Sequence, residues 1–235
     1  MIARFRHAPL LALALALLPA PAIAQEAASG GVAAPVMAPV AQAVTANGGG
    51  VTLTARPDAT VGHAATVSGH AAPSAGGHRI KLQLQDPQTL AWSKVAAARV
   101  GHAGDFAVRW TPRHIGQFAL RAVLRGASTP LGVTVYKPAL ATWYGPGFWG
   151  NATACGIPLT ADLQGVAHRT LPCGTLVAVS YAGRSVVVPV IDRGPYGVPG
   201  AQWDLTQATA FALGMTETST VGALRLLAPA QLTSK

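Results

Sequence analysis

A chain of 235 residues holds one or two domains, and with half of its residues hydrophobic it can bury a core in each. The formal charge is +9 with only 11% charged residues, and no aromatic–basic interleaving accompanies it. That argues against a nucleic-acid partner and leaves acidic polymers or an anionic surface as the chemistry a basic face could meet.

The first residues read as a secretory leader. Met1 to His7 carries Arg4 and Arg6, Pro9 to Leu18 is an apolar run, and Ala22-Ile-Ala24 fits a small-x-small cleavage rule, so residues 1–24 are a signal peptide cut before Gln25. Pro19 and Pro21 interrupt the apolar run too early for a transmembrane anchor, and no cysteine follows it to take a lipid. The expectation is an exported protein of the periplasm, cell wall or exterior. Residues 25–50, rich in Ala, Pro, Val and Gly and ending in Asn47-Gly-Gly-Gly50, read as a flexible linker.

From Val51 to Lys137 short alternating runs are separated by Gly, Pro and Asp-Pro breaks. Val51–Ala55, Ala65–Ser68, Arg79–Gln85, Trp92–Val100, Asp105–Trp110, Gly116–Leu124 and Gly132–Tyr136 are strands, with Ile80, Leu82 and Leu84 on one face. Seven strands at this spacing predict a β-sandwich of immunoglobulin-like type over residues 51–137, without the cysteine pair of true immunoglobulin domains. This segment holds ten Lys or Arg against Asp58, Asp86 and Asp105, so it carries the basic face. Its scattered histidines lack metal-ligand spacing, and neither a metal nor another cofactor is expected.

Lys137-Pro138 marks a boundary. Beyond it, Thr175–Tyr181 and Arg184–Ile191 flank Ala182-Gly183 as a hairpin with a two-residue turn. Asp204 to Gly214 reads as a helix with Asp204 before the run and Gly at its end, and Val221–Leu227 is a last strand. Residues 229–235 are a tail. Cys155 and Cys173 are an even pair in an exported chain, which suggests a disulfide.

The chemistry centres on Val188-Pro-Val-Ile-Asp-Arg-Gly-Pro-Tyr196. A β-branched strand runs into Asp192, and Gly194-Pro195 forces a turn directly after it. Asp192 is placed to act as an acid, or only to cap the turn or pair with Arg193. With Ala141-Thr-Trp-Tyr-Gly-Pro-Gly-Phe-Trp-Gly150, Gly165-Val-Ala-His-Arg-Thr-Leu-Pro-Cys-Gly-Thr175, Trp203-Asp-Leu-Thr206 and Ala212-Leu-Gly214, this run resembles the rare lipoprotein A family of septal-ring lytic transglycosylases over residues 139–228.

The resemblance implies a six-stranded double-psi β-barrel, export, and action on peptidoglycan glycan strands. A lytic transglycosylase cleaves the MurNAc–GlcNAc bond to a 1,6-anhydro product, and one carboxyl group can serve as both acid and base. Asp192 is the first candidate for that group and Asp204 the second, although Asp204 is equally suited to cap the helix. His168 is implied to face the cleft beside them, or else to hold a turn. Tyr144, Thr170, Arg193 and Tyr196 are implied substrate contacts, with Trp143, Phe148 and Trp149 as further aromatic faces. Cys155 and Cys173 resemble a disulfide-bearing subgroup. One position departs from the pattern: Ile157 stands where lytic members carry a Glu, with only Asp162 nearby. That departure admits an expansin-like reading, in which the barrel binds glycan or loosens the wall without cutting, and a barwin-like one, in which it contacts protein.

Overall fold

A computed structural model describes residues 37–226; the expected leader, the first part of the linker and the tail lie outside the described residues. The chain is mainly β. Its first nine strands are β1 (Val44–Gly48), β2 (Val51–Ala55), β3 (Asp58–Thr60), β4 (Ala65–Ala71), β5 (Arg79–Gln85), β6 (Trp92–Arg99), β7 (Asp105–Trp110), β8 (Gly116–Val123) and β9 (Leu131–Tyr144). One sheet runs β1-β2-β4-β7 and a second runs β9-β8-β5-β6, with β3 on the far side of β9. The inward faces of both sheets share one core: Leu53, Val67, Phe106 and Val108 from the first, Ile80, Leu82, Leu120 and Val135 from the second. Each such side chain, fully buried, contributes roughly 1.5–3 kcal/mol of hydrophobic stabilisation before entropy is subtracted.

The remaining elements are β10 (Val166–Ala167), β11 (Leu176–Tyr181), β12 (Arg184–Asp192), β13 (Trp203–Thr206), α1 (Gln207–Leu213) and β14 (Ser219–Arg225). They close a ring with the second half of β9, in the order β9-β13-β10-β12-β11-β14 and back to β9. This is a six-stranded barrel. Its interior holds Ala141, Val166, Val177, Val179, Val188, Val190, Leu205 and Val221, with Leu213 and Met215 closing one end. The β11–β12 turn is Ala182-Gly183, both with positive φ (48° and 78°), the twist a two-residue hairpin requires.

Three features differ from the reading of the sequence. β1 lies inside the stretch read as linker, and residues before it are already placed. Ala38 N donates to Ala212 O (2.7 Å) and Ala41 N to Gly183 O (2.6 Å), laying this segment along the barrel. Alanine and glycine gave no periodic signal there, because what orders the segment is backbone pairing with distant residues. Second, β9 runs unbroken through Lys137-Pro138. Pro138 falls after the pairing with β3 ends at Tyr136 and before that with β13 begins at Ala141, so one side of the strand asks for no ladder bond there.

The third difference concerns the helix. It starts at Gln207, and its N-cap is Thr206, whose side chain accepts from Thr209 N; Asp204 caps nothing and belongs to β13. Thr206 won because its hydroxyl meets three needs at once: it accepts from the buried Gly165 N (3.1 Å), pairs with Thr209 Oγ1 (2.9 Å) and caps the helix. Gly214 ends the helix in the left-handed conformation at φ 75°, as expected.

Candidate active site

Two acidic residues meet across one alanine. In the three-strand run β12-β10-β13, Ala167 is in register with Asp192 on its parallel neighbour and with Asp204 on its antiparallel one. Two strand spacings put the acidic Cα atoms about 10 Å apart. Both carboxyl groups line a groove of about 300 Å³, with Ala167 on its floor and Tyr144, Phe148, Asn151, Thr153, Arg193, Pro195 and Tyr196 among its walls. The small Ala167 side chain leaves the space between the acids open.

The two acids sit in different surroundings. Asp192 ends β12, and its Oδ1 accepts from the backbone N–H of Ala154 (2.8 Å) and of Arg193 (2.8 Å). The Arg193 guanidinium turns away to the carbonyls of His168 (3.4 Å) and Asp192 (3.3 Å), and among the described residues it forms no ion pair with the Asp192 carboxylate. Gly194 then turns the chain at φ 138°, a conformation that L side chains rarely adopt. Asp204 is half-buried and accepts a single hydrogen bond, from Thr142 Oγ1 at 2.7 Å. Burial raises its proton affinity above the ordinary carboxylate range; the Thr142 bond opposes this, and the Asp192 charge adds to it.

Tyr144 lines the same groove on β9 and feels both carboxylates. Its hydroxyl is buried with no partner in hydrogen-bonding geometry among the described residues, although Asp192 is near enough to interact with it. Burial and both carboxylates push the phenol's proton affinity well up, so Tyr144 is a neutral donor facing the acids. Phe148 and Tyr196, both in the groove lining, are exposed (56% and 73%) and offer flat faces there; Trp149, next to Phe148 in the chain, is also exposed (47%).

Of the residues singled out from the sequence, Asp192, Asp204, Tyr144, Arg193 and Tyr196 come together in the groove; His168 and Thr170 are not among its lining. His168 directly follows Ala167, just past the end of β10, and its ring packs on Trp203 at 4.6 Å. Its Nδ1 accepts from Thr170 N (3.2 Å) and Leu171 N (3.1 Å), which assigns the neutral ring's proton to Nε2. Burial and the charges of Arg169 and Arg193 lower its proton affinity. His168 thus holds the turn after β10 through Nδ1, and its Nε2 has no hydrogen-bond partner among the described residues. Ile157 is exposed and also absent from the groove lining, and Asp162 is engaged with Thr160 Oγ1 (2.6 Å) in an exposed loop.

Sequence reasoning missed Ala154 and Thr142. Ala154 holds Asp192 through its backbone, which no side-chain motif reports. Its loop is pinned by the Cys155–Cys173 disulfide, which joins it to the β10–β11 connection with Cα atoms 5.8 Å apart. Thr142 is one residue before the Trp-Tyr pair, in register with Asp204 across β9 and β13; its signal was a polar residue on a buried strand (8% exposed).

The six strands close into a barrel of the double-psi class, and residues 137–225 match the family described as lytic transglycolase. The resemblance read from the motifs is borne out over this barrel. Residues in it are 48% identical over 82 positions to a probable endolytic peptidoglycan transglycosylase RlpA of Aquifex aeolicus, covering 34% of this chain and 36% of that protein. They are 46% identical over 81 positions to the protein of that name in Synechocystis, with 34% and 25% covered. Identity is likewise 46%, over 84 positions, to the endolytic peptidoglycan transglycosylase RlpA of Pseudomonas aeruginosa, with 34% and 24% covered. The chain thus spans a quarter to about a third of the length of these relatives.

Proposed function

We propose that the barrel is an exported lytic transglycosylase that cleaves MurNAc–GlcNAc bonds of peptidoglycan to 1,6-anhydro products. The observation that carries this reading is the pair Asp192 and Asp204 flanking Ala167 in one groove, with Asp204 biased toward its protonated form. The names of the barrel's relatives support the substrate class.

The geometry favours an exchange of the roles expected from the sequence. Asp204 holds the proton and delivers it to the glycosidic oxygen as the C1–O bond breaks. Asp192, fixed by two backbone N–H groups, faces the oxocarbenium-like centre as a carboxylate. The C6 hydroxyl then closes on C1, and its proton returns to Asp204, so one group serves both steps without water. Tyr144, as a neutral donor, is positioned to hydrogen bond Asp192 or a sugar oxygen, and Tyr196 and Phe148 offer faces for sugar rings.

A second reading rests on Ile157: with no Glu at that position the barrel binds glycan or loosens the wall without cutting. Digestion of purified peptidoglycan, read by mass spectrometry for 1,6-anhydro-muropeptides, separates the two. Anhydro products that disappear with Asp204→Asn support lysis. No product from the unaltered protein, with the protein still sedimenting with the sacculi, supports the binding reading instead.

A further inference from the structure

The outer face of the β8-β5-β6 sheet carries a track of cations. Side chains at Arg79, Lys81, Gln83 and Gln85 project from β5 away from the core, on the side opposite Ile80 and Leu82. Register puts Arg99 directly across from Arg79, Val123 across from Lys81, and both Lys94 and Arg121 beside Gln83. Three successive rows, about 7 Å apart along the strands, therefore each present a cation. The fourth row ends on Trp92, with the Arg121 guanidinium 3.9 Å above its ring.

No Asp or Glu lies on this face of the three strands. The acids of the same domain are elsewhere. Asp58 sits on β3 beyond β9 and is half-buried; Asp86 accepts from the N–H groups of Gln88 and Thr89 in the β5–β6 turn; Asp105 pairs with His70 on the other sheet. Arg79, Lys81, Lys94 and Arg99 are exposed, and among the described residues none of them meets a carboxylate. Like charges directly opposite each other, as at Arg79 and Arg99, destabilise a sheet. A polyanion laid along the strands would remove that cost.

We propose that this face binds a linear acidic polysaccharide, one carrying carboxylates along its chain. Charge complementarity supplies the attraction. Between the cations, the Gln83 amide accepts from Arg121 Nε (2.9 Å) through its oxygen and keeps its NH2 group for a sugar hydroxyl. The one aromatic ring, Trp92, is covered by Arg121, so there is no free stacking platform for nucleic-acid bases. The surface belongs to the N-terminal sheets and is independent of the barrel's groove.

The test is titration of fluorescent polygalacturonate with the chain from Gln25 onward, followed by anisotropy at about 50 mM salt, where screening is weak. The variant Arg79→Gln/Lys81→Gln/Lys94→Gln is expected to bind about tenfold or more weakly, and Lys94→Gln alone about threefold, in line with modest exposed charge contacts that act together. Lys94 forms no side-chain bond, so the single variant stays informative if the triple one lowers the melting midpoint. Arg109→Gln/Arg113→Gln/Lys137→Gln removes the same charge elsewhere and is expected to bind within about twofold of the unaltered chain, because the contacts are local. Equal loss in the two triple variants overturns the site in favour of bulk charge. Tighter binding of a single-stranded oligonucleotide by the same three residues, or no binding of polygalacturonate, overturns the ligand.

Discussion

Replacing Asp204 by Asn separates the two things this residue does. Asn keeps the shape and an oxygen that accepts from Thr142 Oγ1, so the 2.7 Å bond holding β13 to β9 survives. What is lost is the proton. Removing a positioned general acid costs about 10²–10⁴ in rate, or roughly 3–5 kcal/mol of barrier. Stability moves the opposite way. Burial raises the proton affinity of Asp204 above that of the unfolded chain, so its favourable contribution is full below the ordinary carboxylate range and is lost as pH rises through the folded-state value. Above that folded-state value the unaltered protein carries a partly desolvated charge that the Asn variant lacks. The variant is therefore expected to match the unaltered protein in acid and to gain on it as pH rises through the folded-state value. Anhydro-muropeptide yield measures the first effect, and urea unfolding at about pH 3 and pH 7 measures the second. A variant that cuts at a third or more of the normal rate, or that is less stable at neutral pH, refutes the assignment of the proton to Asp204.

Three further outcomes follow from the geometry. Replacing both Cys155 and Cys173 by Ser opens an 18-residue separation and is expected to cost about 3 kcal/mol by urea denaturation; activity should fall further than stability, since the Ala154 loop holds Asp192. Thr206→Ala removes a helix cap and one of two acceptors of the buried Gly165 N–H, for a loss of about 1–2 kcal/mol in the same assay, whereas Thr206→Ser should retain most of it. Ile157→Glu restores an acid at an exposed position, so its melting midpoint should stay unchanged while anhydro-product yield rises; an unchanged yield would show that the groove does not use a carboxylate there.

The hairpins were legible because each strand states its own face. Arg79–Gln85 alternates, and Ile80 and Leu82 are fully buried where the alternation put them. The Ala182-Gly183 turn was legible for the same local reason. What was not legible depends on partners distant in sequence. β10 is two residues long and exists because β12 and β13 flank it. β13 is four residues long, and Asp-Leu-Thr-Gln before an Ala-rich run reads as a helix start. Asp204 and Thr206 compete for the cap, and Thr206 also takes part, with Thr209, in accepting from the buried N–H of Gly165, 41 residues earlier. Gly165 in turn must be glycine: a Cβ there would lie 2.5 Å from Ile191 Cδ1.

The same non-local pairing explains how the site was half read. Asp192 could be found from its strand and its Gly-Pro turn alone, and Asp204 only through the family resemblance. The surroundings of the two could not be found from either, because they depend on who donates to them. Asp192 receives two backbone N–H groups, one of them from a loop 38 residues away, whereas Asp204 receives one hydroxyl from a residue 62 positions away. The two distant donors, Ala154 and Thr142, are set by the closure of the barrel rather than by any motif around the acids. His168 illustrates the converse. Its place in the motif is beside Ala167, and its ring comes to rest against Trp203. Its Nδ1 holds the turn after β10, while the alanine before it leaves the space between the two carboxylates open.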